Sequence, residues 1–266
     1  WLRDVKISPD GTQIAFCYKG DIYTVVTTGG RATRLTTQDS YEQAPVWSPD
    51  GTQIAFASDR YGNNDVFVMP AQGGSATRLT FNSVSEIPTS FTPDGKQVLF
   101  NACIQDPAES ALFPTAALNE LYAVPVAGGK TVQVLATPAE MVSYSPQGDF
   151  FLYQDRKGVE DEWRKHHTSS ITRDVWRYDV ATGRHTNLTA RAGEDRNPVL
   201  SDDGKIVFYL SEPDGTDGTG HPTPNGWTTS LNVWTFPLDN PRSAKALPFR
   251  QFGLSVRHLY LPECVP

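Results

Sequence analysis

The residues best suited to chemistry form a basic segment in a chain that is acidic overall. The chain has 23 Lys and Arg against 30 Asp and Glu, a formal net charge of −7. An arginine can hold a carboxylate through two parallel hydrogen bonds, and a lysine binds the same group as a point charge. The segment therefore predicts capture of a peptide carboxylate. Its candidate ligand-binding residues are Arg156, Lys157, Trp163, Arg164, Lys165, His166 and His167.

A second interpretation of the same segment is a solvated loop whose charges are used locally. Asp155, Glu160, Asp161 and Glu162 lie beside the basic residues and could pair with them. Trp163 stands outside the repeat described below, which fits an exposed binding role and local anchoring of the loop equally well. Adjacent histidines on a strand point in opposite directions, and no third ligand has motif spacing, so no metal site is predicted.

Motifs of catalysis and cofactor binding are missing from the sequence. It has no Gly-x-Ser-x-Gly elbow, His-Glu-x-x-His helix, phosphate-binding glycine loop or Cys-x-x-Cys pair. We therefore expect no catalytic residues and no cofactor. The acidic balance argues against nucleic-acid binding, and no run of 18 apolar residues predicts membrane insertion. Three widely spaced cysteines, Cys17, Cys103 and Cys264, indicate buried or unpaired thiols.

Carboxylates that precede predicted strands offer a different chemistry. A glycosidase needs two carboxyl groups about 5 to 9.5 Å apart. In the alternative interpretation, the same residues are solvated or tie neighbouring units of the fold together through hydrogen bonds. The candidates are Glu42, Glu86, Glu140, Glu194 and Asp195.

A tight turn recurs five times along the chain. Proline, present in four of the copies, fixes φ near −65° at the first central position, and the last residue is a glycine that adopts the left-handed conformation. Each copy therefore predicts the turn of a β-hairpin. The copies begin at Ser8, Ser48, Thr92, Ser145 and Ser201 and end at Gly11, Gly51, Gly95, Gly148 and Gly204.

Other residue types recur at fixed distances from these turns. An aromatic residue lies five positions after each turn glycine and an apolar residue three positions after it, the alternation of a strand. A polar-aliphatic-aromatic triplet such as Asp21-Ile22-Tyr23 then predicts a third strand. Four strands per unit predict an all-β fold, a β-propeller of four-stranded antiparallel blades, rather than a β-sandwich. Residues 1–266 are predicted as one propeller domain, with blades at about 1–36, 43–80, 87–136, 139–189 and 197–247.

The variable length of the repeat is confined to one connection, between the second and third strands. Strands alternate in direction, so these connections lie at the opposite end of each blade from the tight turns. Three long segments, about 102–119, 155–173 and 211–230, are therefore expected on one face together with the loops between blades. Loops on a rigid scaffold carry recognition, and this face is the predicted functional one.

The predicted repeat stops short of the last residues. No turn glycine occurs near residue 263, where the spacing would place one. Residues 248–266 are predicted as an irregular tail or a partial sixth blade, with Gly253 to Leu261 as its first strand. Five encoded blades leave two alternatives open, a ring closed by five blades or part of a six-bladed ring.

The repeat resembles the TolB-type propeller repeat, a WD40-like unit also called PD40. The resemblance is carried by the Pro-Asp-Gly turns and by the Ile-Ala-Phe, Asp-Ile-Tyr and Arg-Leu-Thr series up to about residue 247. More narrowly, the opening Trp1-Leu2-Arg3-Asp4 and the run from Asp161 to Ser170 that leads into Thr172-Arg173-Asp174-Val175-Trp176 resemble the amino-terminal propeller of tricorn-like proteases. The sequence departs from that family at 213–227 and after Pro248.

This resemblance implies a six-bladed fold and a bacterial, non-catalytic module. It would gate or bind peptide substrates or protein partners through its loop face and axial channel, next to the remaining domains of a larger serine protease. The resemblance also implies an extracytoplasmic, periplasmic location. Two other functions stay open: a TolB-like envelope scaffold that binds proteins, and a five-bladed glycoside hydrolase.

Overall fold

Five four-stranded antiparallel sheets make up the computed structural model, which describes residues 1–104, 118–158, 170–190, 193–211 and 232–247. Each sheet consists of four strands that are consecutive along the chain. We number the sheets blade 1 to blade 5 in chain order. The all-β fold with five antiparallel blades is confirmed. The described residues up to 137 form one compact unit, and those from 138 onward form a second.

The first unit contains blades 1 to 3. Blade 1 consists of β1 (Leu2–Ile7), β2 (Gln13–Tyr18), β3 (Asp21–Val26) and β4 (Thr33–Arg34). Blade 2 consists of β5 (Glu42–Trp47), β6 (Gln53–Ser58), β7 (Asp65–Pro70) and β8 (Thr77–Arg78). Blade 3 consists of β9 (Ile87–Phe91), β10 (Gln97–Ala102), β11 (Glu120–Pro125) and β12 (Val132–Leu135).

The second unit contains blades 4 and 5. Blade 4 consists of β13 (Ala139–Tyr144), β14 (Phe150–Asp155), β15 (Val175–Asp179) and β16 (His185–Asn187). Blade 5 consists of β17 (Asp195–Leu200), β18 (Ile206–Ser211), β19 (Asn232–Pro237) and β20 (Lys245–Ala246), with a 3₁₀ turn at Pro241–Ser243. No described helix is long and apolar enough to cross a bilayer. Residues 248–266, predicted as a tail or partial sixth blade, lie outside the described residues.

The tight turns have the hydrogen bonds that their sequence predicts. In blade 1, the Gly11 amide donates to the Ser8 carbonyl at 2.9 Å, with Gly11 at φ 70°. The Ser8 hydroxyl donates to Asp10 at 2.6 Å, and the Thr12 amide donates to the same carboxylate at 3.0 Å. These bonds lower the pKa of Asp10 to about 2. Because all the groups involved lie within five residues, the turn is encoded locally.

Packing between adjacent blades forms the core of each unit. In the first unit, Ile22 of blade 1 and Ile54, Phe56 and Phe67 of blade 2 belong to one buried cluster. Trp47 packs against this cluster, and its indole N–H donates to the Lys6 carbonyl at 3.1 Å. Blades 2 and 3 share another cluster, and blades 4 and 5 share a third. Burial of aromatic and aliphatic side chains between sheets is the main stabilising term for such a fold.

Blade 1 differs from the other blades in the exposure of one flank. Ile7 of the first strand pairs with Ile14 of the second. Phe91 in blade 3 and Leu200 in blade 5 occupy the equivalent position in their own first strands. Phe91 and Leu200 are 4% and 8% exposed, whereas Ile7 is 63% exposed. Tyr18, at the end of β2, is also exposed. A position that is core in two other blades is therefore surface in blade 1.

The first strands contain a β-bulge that the repeat spacing did not predict. In four blades, a non-glycine residue within the bulge has a φ of 51–53°. In blade 2 it is Ala44, whose amide donates to Asp4 of blade 1 at 3.0 Å. In blade 5 it is Asn197, whose amide donates to the Gln154 side chain of blade 4 at 2.8 Å. The bulge thus turns a backbone donor toward the neighbouring blade.

Candidate functional site

The site begins at the end of each blade that lies opposite the tight turns. In an antiparallel blade, the connection from second to third strand and the loop to the next blade leave from this same end. The three long connections are of this kind, and most of their residues lie outside the described part of the chain. Their stems are described, and the stem in blade 4 carries the predicted basic residues Arg156 and Lys157.

Arg156 is held by a carboxylate at the start of blade 4. Its Nη1 lies 3.0 Å from Glu140 Oε1, and the Gln154 amide donates to Glu140 Oε2 at 3.0 Å. The side-chain oxygen of Gln154, Oε1, in turn accepts from the Asn197 backbone amide of blade 5. Arg156 therefore belongs to a polar network that connects the base of the basic segment to two blades.

Lys157 lies between two acidic residues at the other side of the stem. Its Nζ is 2.6 Å from Asp174 Oδ2 and 3.3 Å from Asp155 Oδ2, and it donates to the Thr172 carbonyl at 2.8 Å. Burial alone would lower the pKa of Lys157, but the hydrogen bond to Asp174 and the two negative charges raise it above its ordinary value. Burial raises the pKa of Asp155, against the hydrogen bond from the Asp174 amide. The contacts of Lys157 with Asp174 and Thr172 therefore join the start of the long connection of blade 4 to its end.

The other five predicted site residues lie outside the described residues: Trp163, Arg164, Lys165, His166 and His167. Of the seven candidates, the structure therefore locates Arg156 and Lys157, and it places both at the base of the segment. Within the described ranges, no group of three or more His, Cys, Asp or Glu side chains is arranged to hold a metal ion.

Arg173 marks the point where the long connection of blade 4 returns to its third strand. Its Nη1 lies 2.7 Å from Glu194 Oε1, and its backbone amide donates to Glu194 Oε2 at 3.2 Å. The Arg173 carbonyl accepts the Asp195 amide at 3.0 Å. The sequence offered no signal for this pairing beyond the charges themselves, because the two residues belong to different blades.

The carboxylates of the first unit are also engaged in contacts between or within blades. Glu42 is fully buried, accepts from the Ser58 hydroxyl at 2.9 Å and lies 3.1 Å from Arg60. Glu86 is fully buried and accepts from Asn82 at 2.5 Å, and its burial raises its pKa. The side chain of Glu42 thus bonds within blade 2, and that of Glu86 bonds to the loop between blades 2 and 3.

A repeated backbone bond joins blade to blade at the same end. The Glu42 amide donates to the Gly20 carbonyl at 2.8 Å, and the Glu86 amide donates to the Asn64 carbonyl at 2.8 Å. The acceptor in each case is the residue before the third strand of the preceding blade. In blades 1 and 2, a backbone hydrogen bond therefore fixes the residue before the third strand to the start of the next blade.

Aspartates that start the third strands have a related role. In blades 1 and 2 they form ion pairs with an arginine of the fourth strand. Asp21 lies 2.7 Å from Arg34 in blade 1, and Asp65 lies 2.8 Å from Arg78 in blade 2. The Arg-Leu-Thr series thus supplies the partner of each aspartate, and its threonine hydroxyl accepts the next amide, as Thr80 does from Val66 at 2.9 Å.

Comparison with known proteins agrees with this architecture. Residues 1–260 match the model of the tricorn protease N-terminal β-propeller domain. A curated relative, dipeptidyl-peptidase 5 of Porphyromonas endodontalis, is 36% identical over 83 residues, which are 29% of this chain and 12% of the relative. The matched region thus spans about an eighth of that protein.

Two solved structures are similar in fold. A putative TolB from Agrobacterium tumefaciens has a TM-score of 0.70 at 17% identity, over 92% of this chain and 80% of that one. The tricorn protease has a TM-score of 0.63 at 14% identity, over 94% of this chain and 26% of that one. At these identities, the likeness establishes the propeller fold alone.

Proposed function

The chain belongs to the family of tricorn protease N-terminal β-propeller domains, and from this membership we propose that it is the non-catalytic peptide-binding module of a larger peptidase. The remaining domains of that peptidase are its first partners. Support comes from the relative lengths, because the chain aligns with 26% of the tricorn protease and its curated match covers 12% of a dipeptidyl-peptidase. The module gates or positions peptides and leaves bond cleavage to the other domains.

The observation that carries this proposal is the polar construction of the blade 4 stem. Arg156 and Lys157 are held by Glu140, Asp155 and Asp174, so the two ends of the basic segment are fixed on the blade. The segment between them contains Trp163, Arg164, Lys165, His166 and His167. We propose that these residues bind the carboxylate of a peptide, with Arg156 and Lys157 at the base of the site. Arg–carboxylate pairs provide both strength and direction in such recognition.

The test compares two forms of one peptide. Replacing Arg164→Ala together with Lys165→Ala should weaken binding of a free-carboxylate peptide about tenfold or more, since charge-assisted bonds are lost, and should leave its amidated form unaffected. Isothermal calorimetry measures both affinities. The matched control, Arg184→Ala with Lys205→Ala, removes two exposed cations of the same unit outside the segment. Equal losses for both peptide forms would contradict carboxylate capture.

We propose that the chain has no peptidase activity of its own. Support comes from the absence of catalytic motifs in the sequence and from the non-catalytic character of the family's propeller domain. Purified chain should not cleave fluorogenic peptides, and turnover that persists through successive purification steps would overturn this assignment.

A second candidate is a TolB-like scaffold that binds envelope proteins. The observation in its favour is the fold match to a TolB protein, which covers 80% of that chain at a TM-score of 0.70. This function places the chain in the periplasm. Capture of a defined envelope protein by the purified chain, with a Kd unaffected by Arg164→Ala and Lys165→Ala, would favour the scaffold over the peptide module.

We also propose that a sixth blade covers the flank of blade 1. Support comes from Ile7 and Tyr18, which are exposed where other blades bury their counterparts. An exposed flank of this kind provides the apolar surface against which a further blade packs.

A further inference from the structure

A second surface, on blade 2, is built from two exposed aromatic rings and one arginine. The guanidinium carbon of Arg78 lies 4.6 Å from the ring centre of Tyr61 and 4.6 Å from that of Phe81. Tyr61 is 63% exposed and Phe81 is 70% exposed. We call these three residues the aromatic clamp. It lies in the first unit, at the end of blade 2 from which the connections to β7 and to blade 3 emerge.

Contacts with other residues of blade 2 fix the geometry of the aromatic clamp. Arg78 is held by Asp65 at 2.8 Å, and its Nε donates to the Thr80 carbonyl at 2.8 Å. Tyr61 is stacked on Phe67, with ring centres 6.2 Å apart and planes 13° apart. Rigid aromatic and arginine side chains lose little conformational entropy on binding, and such residues dominate binding energy at interfaces.

The loops that carry the two rings are also tied together. Asn63 donates through its side-chain amide to the Asn82 carbonyl at 3.1 Å and to the Val84 carbonyl at 2.7 Å. Asn63 lies in the loop with Tyr61, and Asn82 follows Phe81. The spacing between the rings is therefore set before any ligand arrives.

Blade 1 shows that the fold does not require these rings. Arg34 pairs with Asp21 at 2.7 Å, as Arg78 pairs with Asp65. In blade 1, however, the residue corresponding to Phe81 is Thr37, and the short connection between β2 and β3 has no counterpart of Tyr61. The ion pair thus forms without counterparts of Tyr61 and Phe81, so blade 2 exposes two large rings that the pair itself does not require.

The charge and size of the clamp restrict what can bind it. Arg78 is neutralised by Asp65 and Arg60 by Glu42, so a charged ligand gains little there. The exposed parts of the two rings amount to about 300 Å², whereas a stable dimer buries about 1,200–2,000 Å² in total. The clamp is too small for a folded partner or a second copy, and its size matches a few residues of extended peptide.

Two exposed rings beside a neutralised arginine favour a proline-containing segment. Both ring centres lie 4.6 Å from the Arg78 guanidinium carbon, so the two rings belong to one local surface. A polyproline II helix is largely formed before binding and docks on aromatic side chains at low entropic cost. We propose that the aromatic clamp of Tyr61, Arg78 and Phe81 binds a neutral, proline-containing extended peptide segment.

Fluorescence anisotropy with a labelled (Pro-Pro-Leu)₃ peptide, amidated at its carboxyl end, tests this inference. The 266-residue chain should bind it saturably. Tyr61→Ala and Phe81→Ala should each weaken binding at least tenfold, and Arg78→Lys, which keeps the charge but loses the planar stack, should weaken it severalfold. Phe81→Trp should retain binding within about threefold. Trp1→Ala, which removes an exposed ring elsewhere, should leave the affinity unchanged.

Four results would overturn the inference. They are no saturable binding by the parent chain, unchanged binding by the alanine variants, equal binding of a peptide in which alanine replaces every proline, and a dimer in sedimentation that Phe81→Ala dissociates. The last result would identify a second copy as the occupant. Because the probe has no free carboxylate and the variants leave the blade 4 segment intact, this inference and the proposed carboxylate site can fail independently.

Discussion

Arg173 and Glu194 join blade 4 to blade 5 through two contacts, a 2.7 Å ion pair between side chains and a 3.2 Å bond from the Arg173 amide. Both side chains are largely buried. The pair lies where the long connection of blade 4 re-enters its third strand, so it fixes one end of the proposed binding segment on the neighbouring blade. Removing one partner of a buried ion pair strongly lowers the free energy of unfolding. Replacing both partners with apolar residues changes that free energy much less.

The first prediction concerns this pair. Arg173→Ala removes the ion pair of a largely buried carboxylate and should lower the free energy of unfolding by about 3–5 kcal/mol. The double variant Arg173→Met with Glu194→Leu should lose less, because it also removes the buried carboxylate that Arg173→Ala deprives of its ion pair. Urea unfolding followed by circular dichroism measures both. Lys205→Ala, which removes an exposed partner 3.9 Å from Asp203, is the control and should change stability by under about 1 kcal/mol. A double variant as unstable as Arg173→Ala would contradict this account.

The second prediction concerns the pH dependence of stability at Glu86. Burial raises the pKa of this carboxyl, so its charged form is disfavoured in the folded state. The parent chain therefore loses stability as the pH rises from the unfolded-state pKa of 4.5 through the folded-state pKa, and the loss is complete above the folded-state pKa. Glu86→Gln should therefore be more stable than the parent chain at pH 7, and the difference should vanish below pH 4.5. Thermal unfolding at a series of pH values measures it.

Asp94 provides the control of opposite sign for Glu86. The Thr92 hydroxyl, at 2.6 Å, lowers the pKa of Asp94. Its contribution to stability is present above the unfolded-state value and is lost as the pH falls through the folded-state pKa. Asp94→Asn should therefore be less stable than the parent chain at pH 7, with the difference shrinking in acid. If both variants changed stability in the same direction at pH 7, burial would not explain the behaviour of Glu86.

The third prediction tests the proposed sixth blade through Ile7. In the 266-residue chain, Ile7→Ala should cost under about 0.5 kcal/mol, because the side chain is exposed. In a longer protein with a blade against this flank, the same change should cost about 2–5 kcal/mol. Leu200→Ala, in the equivalent register of blade 5 but buried, should be costly in both. A uniformly small effect of Ile7→Ala would remove the support for a covering blade.

Much of the fold follows from local sequence. The turn at Ser8 to Gly11 closes through bonds among groups within five residues, and the strand that follows buries Ala15, Phe16 and Cys17 in succession, on both of its faces. Proline, aspartate and glycine at such spacing permit few other conformations. The number and order of the strands in each blade could therefore be predicted. The bulge at Ala44 could not, because its amide bonds to Asp4, which lies 40 residues away in another blade.

The candidate site divides in the same way. Its basic composition and its position between the second and third strands of blade 4 were determined by the sequence alone. Only the tertiary structure decided that Arg156 pairs with Glu140, that Arg173 pairs with Glu194 and that Arg78 contacts both Tyr61 and Phe81. The physical reason is that a charge or a ring has no preferred partner along the chain. Its partner is chosen when loops from different strands are brought within a few ångströms by the packing of the blades.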